Sequence, residues 1–206
     1  MTIAIIGTGN VGNTLGRRWA KGGHTVLFGS RNPDRADLQA LASEVGATVT
    51  TPAEAAQAAD ILLLATPWHG TQAALEALGD LSGKVLIDAT NPIGSGWKLV
   101  GHPSGGEQVA NWAPGAHVVK AFNTTGWENM ADTNYGEGPQ LTMFYAGDDV
   151  SANASVRVLI EALGFEAVYA GPLARSAWLE ALAMLWIVQA FEFGYGRDFG
   201  FALARR

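Results

Sequence analysis

The residues with the clearest chemical meaning stand near the start of the chain. Gly7, Thr8, Gly9, Asn10, Val11 and Gly12 separate an apolar run, Thr2–Ile6, from a helical pattern, Val11–Lys21. In such a loop the glycines allow a tight turn, a close approach of the backbone to a diphosphate and close helix packing, and the helix N-terminus adds partial positive charge. These six residues predict a dinucleotide site, with an ordinary strand–helix turn as the simpler alternative.

The end of the second apolar run indicates which dinucleotide binds. Proteins that prefer NAD carry Asp or Glu about 20 residues after the glycine loop. Ser30 and Arg31 stand there instead, and Arg35 follows. Ser30 offers a hydroxyl, and a guanidinium offers a planar fork that suits the 2′-phosphate of NADP. The sequence therefore favours NADP over NAD; as the alternative, Arg31 is a solvated surface residue.

Small, hydroxyl and amide residues end three further apolar runs, and ligands of open α/β sheets bind beyond such strand ends. The further positions expected to contact the nucleotide are Ala65, Thr66, Pro67, His69, Asn91, Pro92, Ala121, Phe122 and Asn123. Asn91 and Asn123 suit hydrogen bonds to a carboxamide and a ribose, although turn formation also explains both. His69 is either a proton donor or an exposed residue of a first helical turn.

The sequence marks no catalytic constellation and no metal site. It has no cysteine, no HExxH pattern and no GxSxG elbow. Asp148 and Asp149 precede a helical pattern, where acids more often complement the helix dipole than bind a metal. Lys120, close to Asn123, is the one candidate for a Lys or Asp poised in a cleft. We therefore leave the catalytic residues unassigned and expect no metal.

The order of apolar runs and helical patterns predicts the fold. Runs that are apolar throughout suit parallel strands covered on both faces. The predicted strands are Thr2–Ile6, Val26–Phe28, Asp60–Ala65, Lys84–Ala89, His117–Ala121, Leu141–Tyr145 and Phe165–Tyr169. The predicted helices between them are Val11–Lys21, Pro52–Ala59, capped by Thr51, Thr71–Leu78 and Ser151–Leu163, capped by Ser151. This alternation predicts an α/β protein with a doubly wound, mainly parallel sheet.

Two stretches interrupt the alternation. Gly94–Pro114 is long and rich in Gly and Pro, so we expect a functional loop. Ala174–Phe193 predicts a helix that is apolar around its circumference and must be buried by the domain or by a second subunit. Tryptophans in or beside loops suit stacking on a flat second ligand. They are Trp68, Trp97, Trp112 and Trp127.

Composition excludes several classes of partner. The 206 residues are 48% hydrophobic, which is enough for a sizeable core, and their formal charge of −6 argues against nucleic acid or an anionic membrane as partner. The chain opens without the basic segment of a signal peptide, and its apolar stretches are too short to span a bilayer. We expect a cytoplasmic protein that acts on a small molecule.

Five ordered segments carry a family resemblance: Ile5–Gly12, Gly29–Pro33, Asp88–Pro92, Val118–Asn123 and Gly171–Glu180. Together they resemble the coenzyme F420-dependent NADP oxidoreductases, and they are similar to the cytoplasmic domain of the STEAP metalloreductases. The resemblance covers almost the whole chain. It implies a Rossmann-type NADP-binding domain over residues 1–170. It also implies a C-terminal helical segment, 171–206, which completes the pocket for the second redox partner and forms a homodimer interface.

The resemblance also implies a reaction. Hydride passes between the nicotinamide of NADP(H) and a stacked ring of F420 or of a flavin such as FAD or FMN. Such a reaction needs two aligned rings and little acid–base help. Two alternatives remain open: reduction of a small imine or ketone, with Lys120 as proton donor, and an NADP-binding sensor without turnover.

Overall fold

The computed structural model describes residues 1–206, and its centre is one eight-stranded sheet. The strands are β1 Thr2–Ile6, β2 Thr25–Gly29, β3 Thr48–Thr50, β4 Ile61–Leu64, β5 Val85–Asp88, β6 His117–Lys120, β7 Thr142–Gly147 and β8 Glu166–Gly171. Their order across the sheet is β3-β2-β1-β4-β5-β6-β7-β8. All neighbours are parallel except β6 and β7.

Helices connect most of the strands. They are α1 Asn10–Lys21, α2 Ala36–Val45, α3 Pro52–Ala58, α4 Thr71–Glu76, α5 Gly105–Trp112, α6 Trp127–Ala131, α7 Val150–Glu161 and α8 Ser176–Phe191. Short 3-10 turns, Trp68–Gly70 and Leu173–Arg175, precede α4 and α8. The predicted Rossmann-type doubly wound α/β fold with a C-terminal helical part is confirmed. None of the helices is long and apolar enough to cross a membrane.

Both faces of the sheet are covered, which explains the unbroken apolar runs. On β1, Ile3 and Ile5 belong to one buried cluster, whereas Ala4 and Ile6 belong to a second cluster on the opposite face. Because successive strand residues point to opposite faces, a strand covered on both sides favours apolar residues at every position.

The strand order places a ligand crevice at one defined point. β1 pairs with β2 on one side and with β4 on the other. The chain therefore reverses its direction of winding between β1 and β4, and connections leave the two strands on opposite faces. In open α/β sheets, ligands bind at such a reversal, beyond the carboxyl ends of the strands.

Helix caps follow the sequence in one case and depart from it in another. Thr51 and Glu54 form the predicted cap of α3 as a reciprocal capping box. The predicted Ser151 cap of α7 is wrong, because Asp149 Oδ1 accepts the Ala152 N–H at 2.7 Å. Asp148 Oδ1 accepts the Leu173 N–H at 2.9 Å, so both acids bind backbone amides.

Four elements were not predicted: β3, α2, α5 and the short helix α6. β3 is only three residues long, and α2 has little amphipathic pattern to mark it. The long loop predicted over Gly94–Pro114 is wrong in part, because α5 occupies Gly105–Trp112. Two glycines open α5 and give it poor intrinsic helix propensity. Ser104, which accepts the Glu107 N–H at 3.1 Å, caps the helix instead.

The apolar C-terminal helix is only half covered by the domain. On α8, Leu179, Ala183 and Trp186 are buried against the rest of the protein. On its other face, Trp178 is 61% exposed and Leu185 is 50% exposed. The domain therefore buries one face of α8 and leaves the other face open.

Candidate functional site

A cleft of about 970 Å³ lies at the expected reversal of the sheet. It is bordered by the residues that follow β1, β2, β4 and β5. The sequence-predicted site residues that line it are Gly7, Thr8, Gly9, Asn10, Val11, Ser30, Arg31, Arg35, Ala65, Thr66, Pro67, His69 and Asn91. Residues from four separate segments of the chain thus meet around one cavity.

The glycine loop has the geometry of a diphosphate cradle. Gly7 has φ of +106°, and a Cβ there would lie 2.4 Å from Ala65 O. A Cβ on Gly12 would lie 1.9 Å from Gly7 O, so the helix start and the loop touch backbone to backbone. No atom lies within 4 Å of the Cβ position of Gly9. The residues present therefore fit a diphosphate, because only glycine allows this turn.

The N-terminus of α1 adds electrostatic support for an anion. Gly9 is its N-cap, and the cap makes no side-chain hydrogen bond. The first turn contains no acidic residue. Backbone N–H groups at this end are therefore available to an anionic ligand, and the helix dipole favours one.

Two arginines line the cleft after β2. Arg31 is exposed and takes part in no ion pair. Arg35 bonds to the glycine loop, because its Nη1 and Nη2 donate to Thr8 Oγ1 and Thr8 O at 3.3 and 3.2 Å. Its Nε donates to Asp37 Oδ1 at 2.7 Å, and this hydrogen bond lowers the pKa of Asp37 below its usual range. No acid lines this end of the cleft, so it is cationic.

The residues between β2 and α2 are partly committed to one another. Ser30 Oγ donates to Asn32 O at 2.9 Å and accepts the Asn32 N–H at 3.2 Å. The Ser30 side chain therefore stabilises its own turn, and its oxygen keeps one lone pair that can accept a hydrogen bond from a ligand. Arg31 has all its N–H donors available to a ligand.

The inner end of the cleft carries hydroxyl and amide groups. Thr66 Oγ1 lies 2.9 Å from Thr71 Oγ1, which ties the end of β4 to α4. Asn91 Nδ2 donates to Asn123 O, and Asn123 Nδ2 donates to Asn91 Oδ1, each at 3.1 Å. His69 is exposed in the 3-10 turn before α4. The predicted asparagines therefore bond to each other, and only Asn91 lines the cleft.

Five sequence-predicted site residues do not line the cleft: Gly12, Pro92, Ala121, Phe122 and Asn123. Gly12 lies beneath the loop, as its contact with Gly7 O requires. Phe122 is buried with φ of +64°, a strained backbone conformation for a bulky residue. Its ring packs edge-on against Trp19 at a centroid distance of 5.6 Å. These residues shape the wall from behind.

Trp68 and Trp127, which the sequence favoured for stacking on a flat ligand, also line the cleft. The lining residues that sequence reasoning missed are Ile6, Gly29, Asn32, Pro52, Gly70, Ala73, Ala74, Ala77, Ala89 and Thr90. The alanines of α4 carried no signal, since a small apolar residue on a helix is ordinary. Trp127 opens α6 and is the one lining residue from beyond β6.

Lys120 lies behind the cleft wall and does not face the cavity, which contradicts its hypothesised role as a proton donor there. It is wholly buried and does not line the cavity. Its Nζ lies 2.9 Å from Asp88 Oδ2 and 3.0 Å from Glu180 Oε1, and it donates to Thr90 O at 2.7 Å. These partners occupy all three donors of the ammonium group, so none is left for a substrate.

Comparisons with known proteins agree with this geometry. A family model described as "NADP oxidoreductase coenzyme F420-dependent" matches residues 2–92, which include the glycine loop, both arginines and Asn91. The F420-dependent NADP reductase of Methanothermobacter marburgensis is 30% identical over 207 residues, which cover 91% of each chain. The chain belongs to the F420-dependent NADP oxidoreductase family. It is therefore a member of a family of NADP-dependent oxidoreductases.

Two further relatives extend the comparison. Rat metalloreductase STEAP3 is 31% identical over 184 residues, which cover 88% of this chain but only 36% of STEAP3. A solved structure from Arthrobacter sp. FB24, provisionally assigned as an F420-dependent NADP reductase, has a TM-score of 0.89 and 31% identity over the full length of both chains. The family resemblance stated from the sequence is confirmed.

Proposed function

We propose that this protein is an NADP(H)-dependent oxidoreductase that transfers hydride between the nicotinamide and the ring of F420 or of a flavin such as FAD or FMN. The observation that supports this proposal most directly is that the glycine loop, which fits a diphosphate, and two arginines line the same cleft. No acidic residue lines this cleft. Family membership supports the reaction class, and the names of two relatives, both F420-dependent NADP reductases, support F420 as the acceptor.

In this proposal the adenosine half of NADP(H) binds between the glycine loop and the two arginines. The backbone of Gly7–Gly12 holds the diphosphate at the start of α1. Arg31 and Arg35 hold the 2′-phosphate, and the Ser30 hydroxyl accompanies them. Arg35 is already oriented by Thr8, so it loses little conformational freedom when the phosphate binds.

The inner half of the cleft then orients the nicotinamide. Ala65, Thr66 and Pro67 follow β4, and Asn91 follows β5, so these residues frame the ring from two strand ends. Pro92, Ala121, Phe122 and Asn123 support this wall from behind. When bound, NADPH supplies the hydride from C4 of its nicotinamide. The protein's part is to align the two rings and exclude water, which needs no acid–base residue.

Trp127 and His69 also line the cleft. In this proposal they border the nicotinamide half on the side where the second ring would lie. A half-buried indole offers a flat surface for a planar ligand. The residues 171–206 line no part of the cleft, yet they contact α6, because Asn129 Nδ2 donates to Phe199 O at 2.7 Å. The C-terminal segment therefore completes the acceptor side through α6 in this proposal.

The open face of α8 supports a homodimer. Trp178, Ala181 and Leu185 lie on one side of the helix and are exposed, and together they form an apolar surface. Contiguous apolar surface of this kind usually marks an interaction site. We therefore propose that two copies pair through α8, and that the enzyme works in the cytoplasm, where NADPH is available.

Turnover tests the proposed reaction. Purified protein is mixed with NADPH and, in separate samples, with F420, FAD or FMN, and the loss of nicotinamide absorbance is followed. We expect oxidation of NADPH with at least one acceptor and weaker activity with NADH. Binding of NADPH without oxidation by any of the three acceptors would refute the reaction and leave only the nucleotide site. Absence of NADPH binding in calorimetry would refute both.

A further inference from the structure

Three charged side chains are buried together beneath the inner end of the cleft. Asp88 and Lys120 are wholly buried, and Glu180 is 2% exposed. None of them lines the cleft. Keeping charges in an apolar interior is costly, and apolar side chains often give equal or greater stability. Stability alone is therefore a weak explanation for this cluster.

The cluster fixes one residue of the cleft wall. Asp88 Oδ1 accepts the Thr90 backbone N–H at 2.9 Å and the Thr90 hydroxyl at 2.7 Å. Lys120 Nζ donates to Thr90 O at 2.7 Å. The backbone N–H, the hydroxyl and the carbonyl of Thr90 are thus all held by the cluster. Thr90 lines the cleft beside Asn91, so the cluster determines where this wall stands.

Glu180 connects the cluster to two helices. It belongs to α8, and its Oε2 and Oε1 accept the N–H groups of Gly105 and Gly106, each at 3.0 Å. These amides open α5, where a negative charge is favourable. A Cβ on Gly105 would lie 2.8 Å from Glu180 Oε1, so the close approach requires glycine. The carboxylate thereby joins α5, α8 and Lys120.

The same turn of α8 reaches the second strand end. Leu179 O accepts a hydrogen bond from Asn123 Nδ2 at 3.2 Å. Asn123 in turn bonds to Asn91, which lines the cleft. Adjacent residues of α8 therefore contact the segments that follow β5 and β6. A shift of this turn would move both segments.

We propose that Lys120 and Glu180 are positioning residues for hydride transfer: they transmit the position of α8 to Thr90 and Asn91 at the nicotinamide half of the cleft. The inference rests on the proposed function. A displacement of about 1 Å in a reacting geometry lowers a rate about 100-fold. Nucleotide affinity depends on the distant arginines and on the glycine loop, so it is expected to survive.

Glu180→Gln tests this inference, because it removes one negative charge and nearly keeps the shape of the side chain. The ion pair that remains, Asp88 with Lys120, has no net charge. We expect kcat for NADPH oxidation to fall about 10- to 100-fold. Affinity for 2′,5′-ADP, which occupies only the adenosine half, is expected to stay within about twofold of the wild type. The matched control is Glu161→Gln, an exposed carboxylate paired with Arg157, which should change neither quantity.

Gly105→Ala provides a second perturbation, because its methyl group would lie 2.8 Å from Glu180 Oε1 and 3.0 Å from Pro92 Cγ, and it removes no charge. The same loss of kcat with retained 2′,5′-ADP binding is expected. Unchanged kcat with a lower melting temperature in either variant would overturn the inference. Parallel loss of kcat and 2′,5′-ADP binding in both variants would also overturn it, because it would assign the cluster to folding alone. A wild-type protein that fails to oxidise NADPH would instead refute the proposed function.

Discussion

Replacing Lys120 by methionine tests how much the buried cluster of Asp88, Lys120 and Glu180 contributes to the stability of the fold. Methionine has a similar length and no charge, so the contacts of 2.9 Å to Asp88 Oδ2 and 3.0 Å to Glu180 Oε1 are lost. Two buried carboxylates then lie near each other with no cation between them. Removing one partner of a buried ion pair costs about 3–5 kcal/mol. We expect the free energy of unfolding to fall by about this amount.

A charge series separates the electrostatic effect from lost packing. Glu180→Gln leaves one carboxylate and one ammonium group, so it should cost only about 1–3 kcal/mol, mainly because the glutamine NH2 cannot accept one of the two hydrogen bonds from the α5 amides. The double variant Lys120→Met/Glu180→Gln has one carboxylate fewer than Lys120→Met. Although it carries a second substitution, it should be more stable than the single variant.

Urea titration and thermal unfolding measure these differences. In a chain of 206 residues, each kcal/mol shifts the melting temperature by about 2–4 °C. Lys120→Met should therefore lower it by about 6–20 °C. A Lys120→Met protein within about 1 kcal/mol of the wild type would refute the reasoning. So would a double variant whose loss equals the sum of the two single losses, because coupled charges cannot be additive.

Three further outcomes follow from the cleft and from α8. Arg31→Glu should weaken NADPH binding about 10- to 100-fold and barely affect NADH in calorimetry; equal losses would contradict NADP selectivity. Asp37 stays charged at neutral pH, because its bond to Arg35 lowers its pKa, and the bond is lost only as pH falls through that lowered pKa. Asp37→Asn frees Arg35 for phosphate and should tighten NADPH about two- to fivefold; no gain in titration would exclude this competition. Leu185→Glu should convert the proposed dimer to a monomer in light scattering, whereas Val158→Glu, which changes an exposed apolar residue on α7, should not; a dimer retained in Leu185→Glu would rule out the α8 interface.

The parts of the fold that the sequence predicted are those with local causes. β1, the glycine loop and α1 follow each other directly, so one short segment determines all three. The apolar strands were visible because both faces of the sheet are covered. α5 was missed because its stability comes from tertiary contacts: the Glu180 carboxylate, 74 and 75 positions along the chain, binds its first amides. No local pattern records such a partner.

The candidate site also contains residues that local sequence patterns predicted and residues whose positions depend on tertiary contacts. Arg31 and Arg35 were identified because spacing from the glycine loop is a local property. Lys120 was interpreted as a cleft residue because its sequence neighbour Asn123 was. It is buried because Asp88 and Glu180, 32 and 60 positions away, surround it. Phe122 has a positive φ that sequence rules assign to glycine or asparagine, and its packing against Trp19 holds that conformation.

The two halves of the cleft differ in how many segments of the chain form them. In the proposed function the adenosine half is bound by residues 7–11 and by residues 29–32 with Arg35, which belong to two short segments. Exchanging the second segment for one with an acid at position 31 should therefore change the preferred nucleotide and leave the rest of the cleft intact. The inner half is built from the ends of β4 and β5 and from Trp127, and α8 holds it through Leu179 and Glu180. No single segment defines that half, so a change of acceptor requires coordinated substitutions in several elements. In the proposed function, nucleotide choice is thus a local property, whereas acceptor choice would depend on how the C-terminal helix packs.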